Sequence, residues 1–244
     1  MRHTQKVKQV YQNGFAQTEK QLNEPRLKQV LVIVQKLQSK PINRLLDIGC
    51  GDGSFTQIIA GITQAKKIFG VDISKKAVDS ARRKKINAYC LDVDESNLPF
   101  HSNTFDFIFC GNLIELVADA DHLLTELYRV LKKSGILIIT FPNICSWGSR
   151  VAVLLGYLPY YSRISTKYDL GKFMGKTKKG DSTGFIRLFS LRSFIKLASF
   201  YNLTVIKTFG AKADGLPVFL SPIDSFFSHF PSFAFQTITI LKKT

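Results

Sequence analysis

Asn43-Arg44-Leu45-Leu46-Asp47-Ile48-Gly49-Cys50-Gly51-Asp52-Gly53-Ser54-Phe55 is the stretch whose reading decides the fold. Leu45, Leu46 and Ile48 form a short apolar run of the kind that makes a buried strand. An acid and three alternating glycines follow, ahead of a helix-like segment. Glycine reaches positive φ and has no side chain, so a ligand can approach bare backbone at such a turn. A helix behind the turn adds unpaired N–H groups and the positive end of its dipole. The stretch therefore predicts strand, ligand-binding turn and helix.

The spacing separates two kinds of ligand. A dinucleotide fingerprint, G-x-G-x-x-G, needs its third glycine at position 54, which is Ser54. Asp47 stands two residues before Gly49, where a pyrophosphate would be repelled. A cationic, phosphate-free ligand tolerates that acid. The pattern resembles the first motif of the class I S-adenosylmethionine-dependent methyltransferases, whose loop cradles the amino-acid part of the cofactor. The resemblance implies cofactor contacts at Asp47, Gly49, Cys50, Gly51 and Gly53.

The next acids arrive in order. Lys67 to Ile73 reads as a second buried strand with Asp72 at its carboxyl end. An acid about 20 residues past such a loop accepts hydrogen bonds from a ribose diol, a task that suits an acceptor-only carboxylate. A third strand, Ala88 to Leu91, leads into Asp92-Val93-Asp94-Glu95. In the family an acid here accepts from the adenine amine while neighbouring backbone serves the ring. Asp92 takes that role, with Asp94 as its rival, and Ile73 and Val93 stand beside the acids. Gly111 and Asn112, at the end of a fourth strand, complete the implied cofactor set.

The resemblance covers most of 40–142 closely and 190–244 in outline. Asp121 to Lys133 has a helical apolar face and Gly135 stops it. Ile136 to Phe141 reads as strand five, Ser190 as the cap of a late helix, and Leu203–Phe209 and Gln236–Lys242 as the last strands. The fold implied is α/β: a Rossmann-like, doubly wound, seven-stranded, mostly parallel sheet with its last strand antiparallel and helices on both faces. One domain spans 1–244: a helical cap (1–40), a cofactor-binding core (41–142), a lid or substrate insertion (143–189) and a C-terminal sheet half (190–244). That half carries an aromatic insertion at 210–235. The Phe141-Pro142-Asn143 turn, Arg150 with Leu154-Leu155-Gly156-Tyr157, and Arg187 to Leu191 resemble a bacterial methionine-biosynthesis-type subgroup of small-molecule enzymes.

Charge is distributed unevenly over the net +16. Residues 41–144 carry 12 Lys or Arg against 12 Asp or Glu; residues 1–40 carry 8 against 2 and residues 145–244 carry 14 against 4. A neutral core flanked by basic segments suggests an anionic partner, whether lipid headgroups, an acidic substrate or nucleic acid. Lysines that only keep the chain soluble are the plainer account. No apolar run reaches the ~20 residues of a membrane span, and the N-terminus has no signal-peptide pattern. Cys50, Cys90, Cys110 and Cys145 lack metal-ligand spacing, so no metal is expected. Free thiols suit a cytoplasmic location.

The insertion leaves from the carboxyl end of strand five, where ligands bind in such sheets. It supplies Trp147, Arg150, Tyr160, Tyr161 and Tyr168 as candidate acceptor contacts and a basic run, Lys172–Lys179. The aromatic segment from Leu216 to Phe235 reads as a hairpin packed on the sheet edge, or as an apolar wall for a lipid acceptor or a membrane contact. Methyl transfer is an in-line displacement in which the protein supplies alignment and a dry pocket. Relatives often carry Glu-His after strand four; here it is Glu115-Leu116. Glu115, Tyr11 and His101 remain as catalytic candidates. The chain thus reads as a methyltransferase acting on a small-molecule, glycan or lipid-linked acceptor. The alternatives are an RNA methyltransferase and a non-catalytic cofactor-binding or scaffold protein. The Asn112 region lacks the motif of the DNA amine enzymes, and Cys145 lacks the context of the RNA cytosine enzymes.

Overall fold

Leu45, Leu46 and Ile48 are fully buried, and they place β1 (Arg44–Ile48) at the heart of the sheet. The computed structural model describes residues 5, 8, 9, 11, 12, 22–162, 164, 165, 168, 169, 171, 178, 179 and 185–244. Helix α1 (Pro25–Leu37) precedes β1, with Pro25 in the first turn, where its missing N–H costs nothing. Helix α2 (Ser54–Thr63), β2 (Lys67–Asp72), α3 (Lys75–Arg83) and β3 (Asn87–Cys90) follow. Next come β4 (Phe105–Gly111), α4 (Ala120–Val130), β5 (Leu131–Pro142) and α5 (Trp147–Leu154). Helix α6 (Leu191–Phe200), β6 (Leu203–Ala211), α7 (Ser221–Ser228) and β7 (Gln236–Lys243) complete the chain.

The seven strands pair in the order β3-β2-β1-β4-β5-β7-β6. All pairings from β3 to β5 are parallel, while β7 runs antiparallel to both β5 and β6. The expected seven-stranded fold is present. Apolar clusters fill both faces of the sheet. Leu46, Ile108 and Ile139 point to one with Phe141 and Phe194; Leu45, Phe107 and Ile138 point to the other with Phe55 and Val30. That alternation is the period-2 side-chain geometry of a strand covered on both sides. Ser190 and Ser193 form a reciprocal capping box that starts α6.

Two local expectations change. Helix α4 ends at Val130 rather than Lys133, and Leu131 already pairs with Phe105 as the first residue of β5. Leu131 is buried in the same cluster as Leu124 and Leu127, so its spacing continues the helical pattern although its backbone is extended. Lys132 reaches Asp106 at 2.7 Å instead of serving a helix end. The aromatic segment is not a hairpin: a 3-10 turn (Val218–Leu220) leads into α7, and Pro222 lies in that helix's first turn. Proline starts a helix as readily as it interrupts a strand.

The basic run at Lys172–Lys179 lies outside the described residues except for Lys178 and Lys179, whose backbone pairs with Tyr168 and Asp169. No helix among the described residues is long and apolar enough to cross a membrane. Nor do they contain a cluster of His, Cys, Asp or Glu able to hold a metal ion.

Candidate cofactor and acceptor site

Gly49, Gly51 and Gly53 all adopt positive φ, at 78°, 55° and 79°, which wraps the turn after β1. Gly49 and Cys50 donate their N–H groups to the Val71 carbonyl at 2.8 and 3.1 Å, tying the turn to β2. Gly51 donates to Asp72 Oδ2 and Ser74 to Asp72 Oδ1, both at 2.8 Å. Asp72 is thereby locked at the end of β2. Each of its oxygens keeps acceptor capacity, since a carboxylate oxygen offers about two lone-pair sites. Burial raises its pKa, against the pull of those backbone donors. Asp47 sits behind the turn, buried, and accepts from Thr56 Oγ1 at 2.5 Å. Burial pushes its carboxyl up to about 7, opposed by the Thr56 bond and reinforced by the charge of Asp72.

Cys50 and Gly53 shape the turn from outside the cavity. The Cys50 thiol is buried against Gly70, where an added Cβ would lie 2.7 Å from its sulfur. A Cβ on Gly53 would lie 2.4 Å from Ile86 Cδ1, so α3 and its following loop pack on that glycine.

A cavity of ≈ 270 Å³ lies along the turn. Gly49, Gly51, Asp72, Ile73, Asp92, Val93, Gly111 and Asn112 all line it. Asp94 also does, but its Oδ1 already accepts from the Ala118 and Asp119 N–H groups ahead of α4. Asp92 is free of that duty and instead meets Lys8 at 2.7 Å. Lys8 also pairs with Glu95 at 3.0 Å and Asp94 at 3.5 Å. Lys8 and Tyr11 line the cavity as well.

Two charged groups on that wall stand out. Glu115 is buried, and neither carboxyl oxygen finds a hydrogen-bond partner in another residue among the described ones. Burial pushes its pKa up to about 8, partly offset by its own backbone and by the charge of Arg26. Arg26 is likewise buried; Nη1 donates to Thr140 Oγ1 and Nη2 to Glu24 Oε2, each at 3.0 Å, while Nε has no partner among the described residues. Thr140 in turn donates to Asn112 Oδ1 at 2.9 Å and accepts from the Asn112 N–H at 3.1 Å. Gly111 has no room for a side chain here, because a Cβ would lie 2.4 Å from the Phe109 ring. Leu113, Leu116, Val117 and Phe185 make the rest of this end apolar.

The structure does not bring the candidate acceptor residues of the insertion to the cavity wall. Trp147 stacks on Phe227 at 5.7 Å and donates its indole N–H to Asp224 at 3.0 Å. Arg150 lies over the Phe233 ring at 4.2 Å, and Tyr160 meets Phe235 at 5.5 Å. Tyr161 has positive φ of 72°, meets Phe185 of the cavity wall edge-on at 5.5 Å, and reaches Asn112 through Gln236 by contacts of 3.5 and 3.4 Å. Tyr168 is exposed. His101 lies on an exposed loop away from the cavity wall, whereas Tyr11 and Glu115 line it. Sequence reasoning missed Lys8, Arg26 and Phe185. Arg26 had a signal: with Leu27, Val30, Ile33 and Val34 it falls on the buried stripe of α1, where a cation is out of place unless it has work there.

Residues 46–139 match the family model described as a methyltransferase domain. A demethylmenaquinone methyltransferase of Bacillus cereus (strain AH187) is 31% identical over 147 residues, covering 57% of this chain. The match spans 60% of that relative's length. An S-adenosylmethionine-dependent methyltransferase from Aquifex aeolicus superposes with a TM-score of 0.58 at 16% identity, covering 99% of this chain and 98% of that one. One from Thermotoga maritima gives 0.61 at 18%, covering 99% and 100%. Residues 46–139 thus resemble a methyltransferase domain, and the fold is the Rossmann-like one that the two solved methyltransferases share. The site fits S-adenosylmethionine: a bare-backbone turn, an anchored acid at the end of β2 and a second acid after β3 border one cavity. Replacing Asp72 with alanine is expected to weaken cofactor affinity by about 1–3 kcal/mol, the scale of hydrogen bonds to a charged group. Titration calorimetry reads this directly, and an unchanged dissociation constant would place the ribose elsewhere.

Proposed function

We propose that this chain transfers a methyl group from S-adenosylmethionine to a small-molecule acceptor with an ionisable O–H or N–H, presented on a lipid-linked or otherwise apolar body. The observation that carries the reading is Glu115: a buried carboxyl without a partner in another described residue, on the wall of the cavity that also holds the glycine turn. When bound, S-adenosylmethionine supplies an electrophilic methyl group on a sulfonium sulfur. Asp72 would hold its ribose and Asp92 its adenine amine, displacing Lys8. Arg26, unpartnered at Nε, would take the carboxylate of its amino-acid end. Glu115 would take the acceptor's proton as the acceptor's lone pair replaces the carbon–sulfur bond, whose electrons stay on a sulfur that leaves as a neutral thioether. A pKa near neutrality suits a carboxylate to that task. Leu113, Leu116, Val117 and Phe185 keep water out.

The name of the Bacillus relatives, demethylmenaquinone methyltransferase, supports an acceptor that is a ring on an apolar tail. The Phe141-Pro142-Asn143 turn and the Arg187 to Leu191 entry to α6 favour the methionine-biosynthesis-type subgroup within the class. The domain limits proposed from sequence, with 1–40 as cap and 143–189 as acceptor-side insertion, accord with Lys8, Tyr11 and Phe185 bordering the cavity. Four free thiols favour the cytoplasm.

The test is incubation of the purified chain with methyl-labelled cofactor and fractionated cell extract. Label should enter the lipid-soluble small-molecule fraction. Label confined to RNA, or cofactor binding without transfer to any fraction, would overturn the proposal.

A further inference from the structure

Thr140 is fully buried on β5, beside Gly111 of β4. It does not line the cavity itself, yet Arg26 and Asn112, which do, both bond to its hydroxyl. Strand geometry puts the hydroxyl there. Side chains alternate along a strand. Ile138, two residues earlier, packs in the apolar cluster that includes Val30 of α1. Thr140 therefore faces α1, and Arg26, one turn before Val30, is the side chain that meets it. The guanidinium passes close to Gly111, where an added Cβ would lie 3.4 Å from Nη1. A large side chain at 111 would block that path, so the bare residue next to Thr140 admits the cation.

The Thr140 hydroxyl has no spare capacity. A threonine offers one O–H and two acceptor positions. Arg26 Nη1 and the Asn112 N–H are donors only, at 3.0 and 3.1 Å, so they take the two acceptor positions. The single proton goes to Asn112 Oδ1 at 2.9 Å. That bond decides which way the Asn112 amide points: Oδ1 faces Thr140, and Nδ2 is turned to Gln236 Oε1 at 3.4 Å. Asn112 stands at φ of 47°, and its N–H also reaches the Thr140 carbonyl at 2.9 Å, so Thr140 holds it through backbone and side chain together. On Arg26 the second anchor is Glu24 Oε2, 3.0 Å from Nη2. A guanidinium is a rigid plane with donors in fixed directions. Tied at both Nη atoms, it has one orientation, and Nε stays without a partner among the described residues.

We propose that Thr140 is a positioning residue: its hydroxyl fixes Arg26 and Asn112 against the amino-acid end of the cofactor and so sets the preference for a ligand that carries the carboxylate. The proposal rests on the reading that Arg26 takes that carboxylate. A misplacement of about 1 Å is enough to weaken such a contact. Valine in place of Thr140 keeps the side-chain shape and removes all three hydroxyl bonds.

Calorimetry with two ligands tests it. One is S-adenosylhomocysteine; the other is methylthioadenosine, which has the same nucleoside and thioether sulfur without the amino-acid end. Thr140→Val should bind S-adenosylhomocysteine roughly tenfold more weakly than wild type, the scale of a hydrogen bond to a charged group, and methylthioadenosine within about twofold of wild type. Thr140→Ser, which restores the hydroxyl, should recover most of the loss. A damaged fold lowers both affinities together, so the ratio of the two separates positioning from stability. Thr140→Cys, with a thiol that is only a weak donor and acceptor, gives the same comparison if the valine variant does not fold. Arg26→Leu separates the proposal from the reading beneath it. A Thr140→Val that keeps the wild-type ratio, while Arg26→Leu loses it, overturns the positioning role and leaves the Arg26 assignment standing. An Arg26→Leu with the wild-type ratio overturns both.

Discussion

Glu115→Gln should reduce turnover about 10²–10⁴-fold, the contribution of a positioned general base, while leaving cofactor affinity close to wild type. Glutamine keeps the size of the side chain and resembles the neutral carboxyl that burial favours, since the pKa of Glu115 is pushed up to about 8. The fold therefore has little reason to object, and the loss should appear in kcat. The pH profile provides a second readout. Only the ionised carboxylate accepts a proton, so kcat/KM for the cofactor should rise with pH, be half-maximal near pH 8 and level off above it. The limb in kcat should lie lower, because a bound sulfonium cation favours the ionised form by Coulomb attraction. In Glu115→Gln both limbs should vanish. Initial rates by product detection decide the matter: a loss of less than about fivefold, or an unchanged limb, would move the proton transfer to another group or to water.

The turn and its acids were legible in the sequence because their chemistry is local. Asp47, Gly49, Gly51 and Asp72 sit at ends of apolar strands, and a parallel sheet brings such ends to one edge without further instruction. The ambiguity between Asp92 and Asp94 could not be resolved by spacing. It depends on Asp94 accepting from Ala118 and Asp119, residues across the fold. Arg26 and Lys8 belong to segments whose approach to the cavity depends on how α1 and the N-terminal segment pack. The insertion was read as a lid because it leaves from the functional end of the sheet. Of its aromatics, Trp147 packs instead on Phe227 and Phe235 of the later aromatic segment, and Phe185 reaches the cavity wall. Leu131 shows the limit of periodicity itself: burial on the same side is preserved while the backbone changes from helix to strand.

The same burial that equips Glu115 should make the cofactor-free protein lose stability as pH rises from about 5 to 8. Asp47 and Glu115 have native values of about 7 and about 8, against ordinary values of 3.8 and 4.5. Between those limits the native state holds protons that the unfolded chain has released. Stability then falls with pH, by up to ~1.4 kcal/mol per unit for each group. Their contribution is fully present below the ordinary carboxylate range and is lost as pH passes through 7 and 8. Asp52, Asp106 and Glu126 act in the opposite direction, since paired cations hold them below their ordinary values. They lose stability only as pH falls below their ordinary values, outside this window. For a chain of this size each kcal/mol moves Tm by about 2–4 °C. Melting curves at pH 5.5, 6.5 and 7.5 should therefore show Tm dropping by several degrees across the series. Glu115→Gln should flatten the fall, leaving the share due to Asp47 and to Asp72, whose pKa burial also raises. A Tm that is level or rises over this range in wild type, or a variant with the wild-type slope, would mean that the two carboxyls are solvated in the native protein. Glu115 would then lose the buried setting on which its role as base depends.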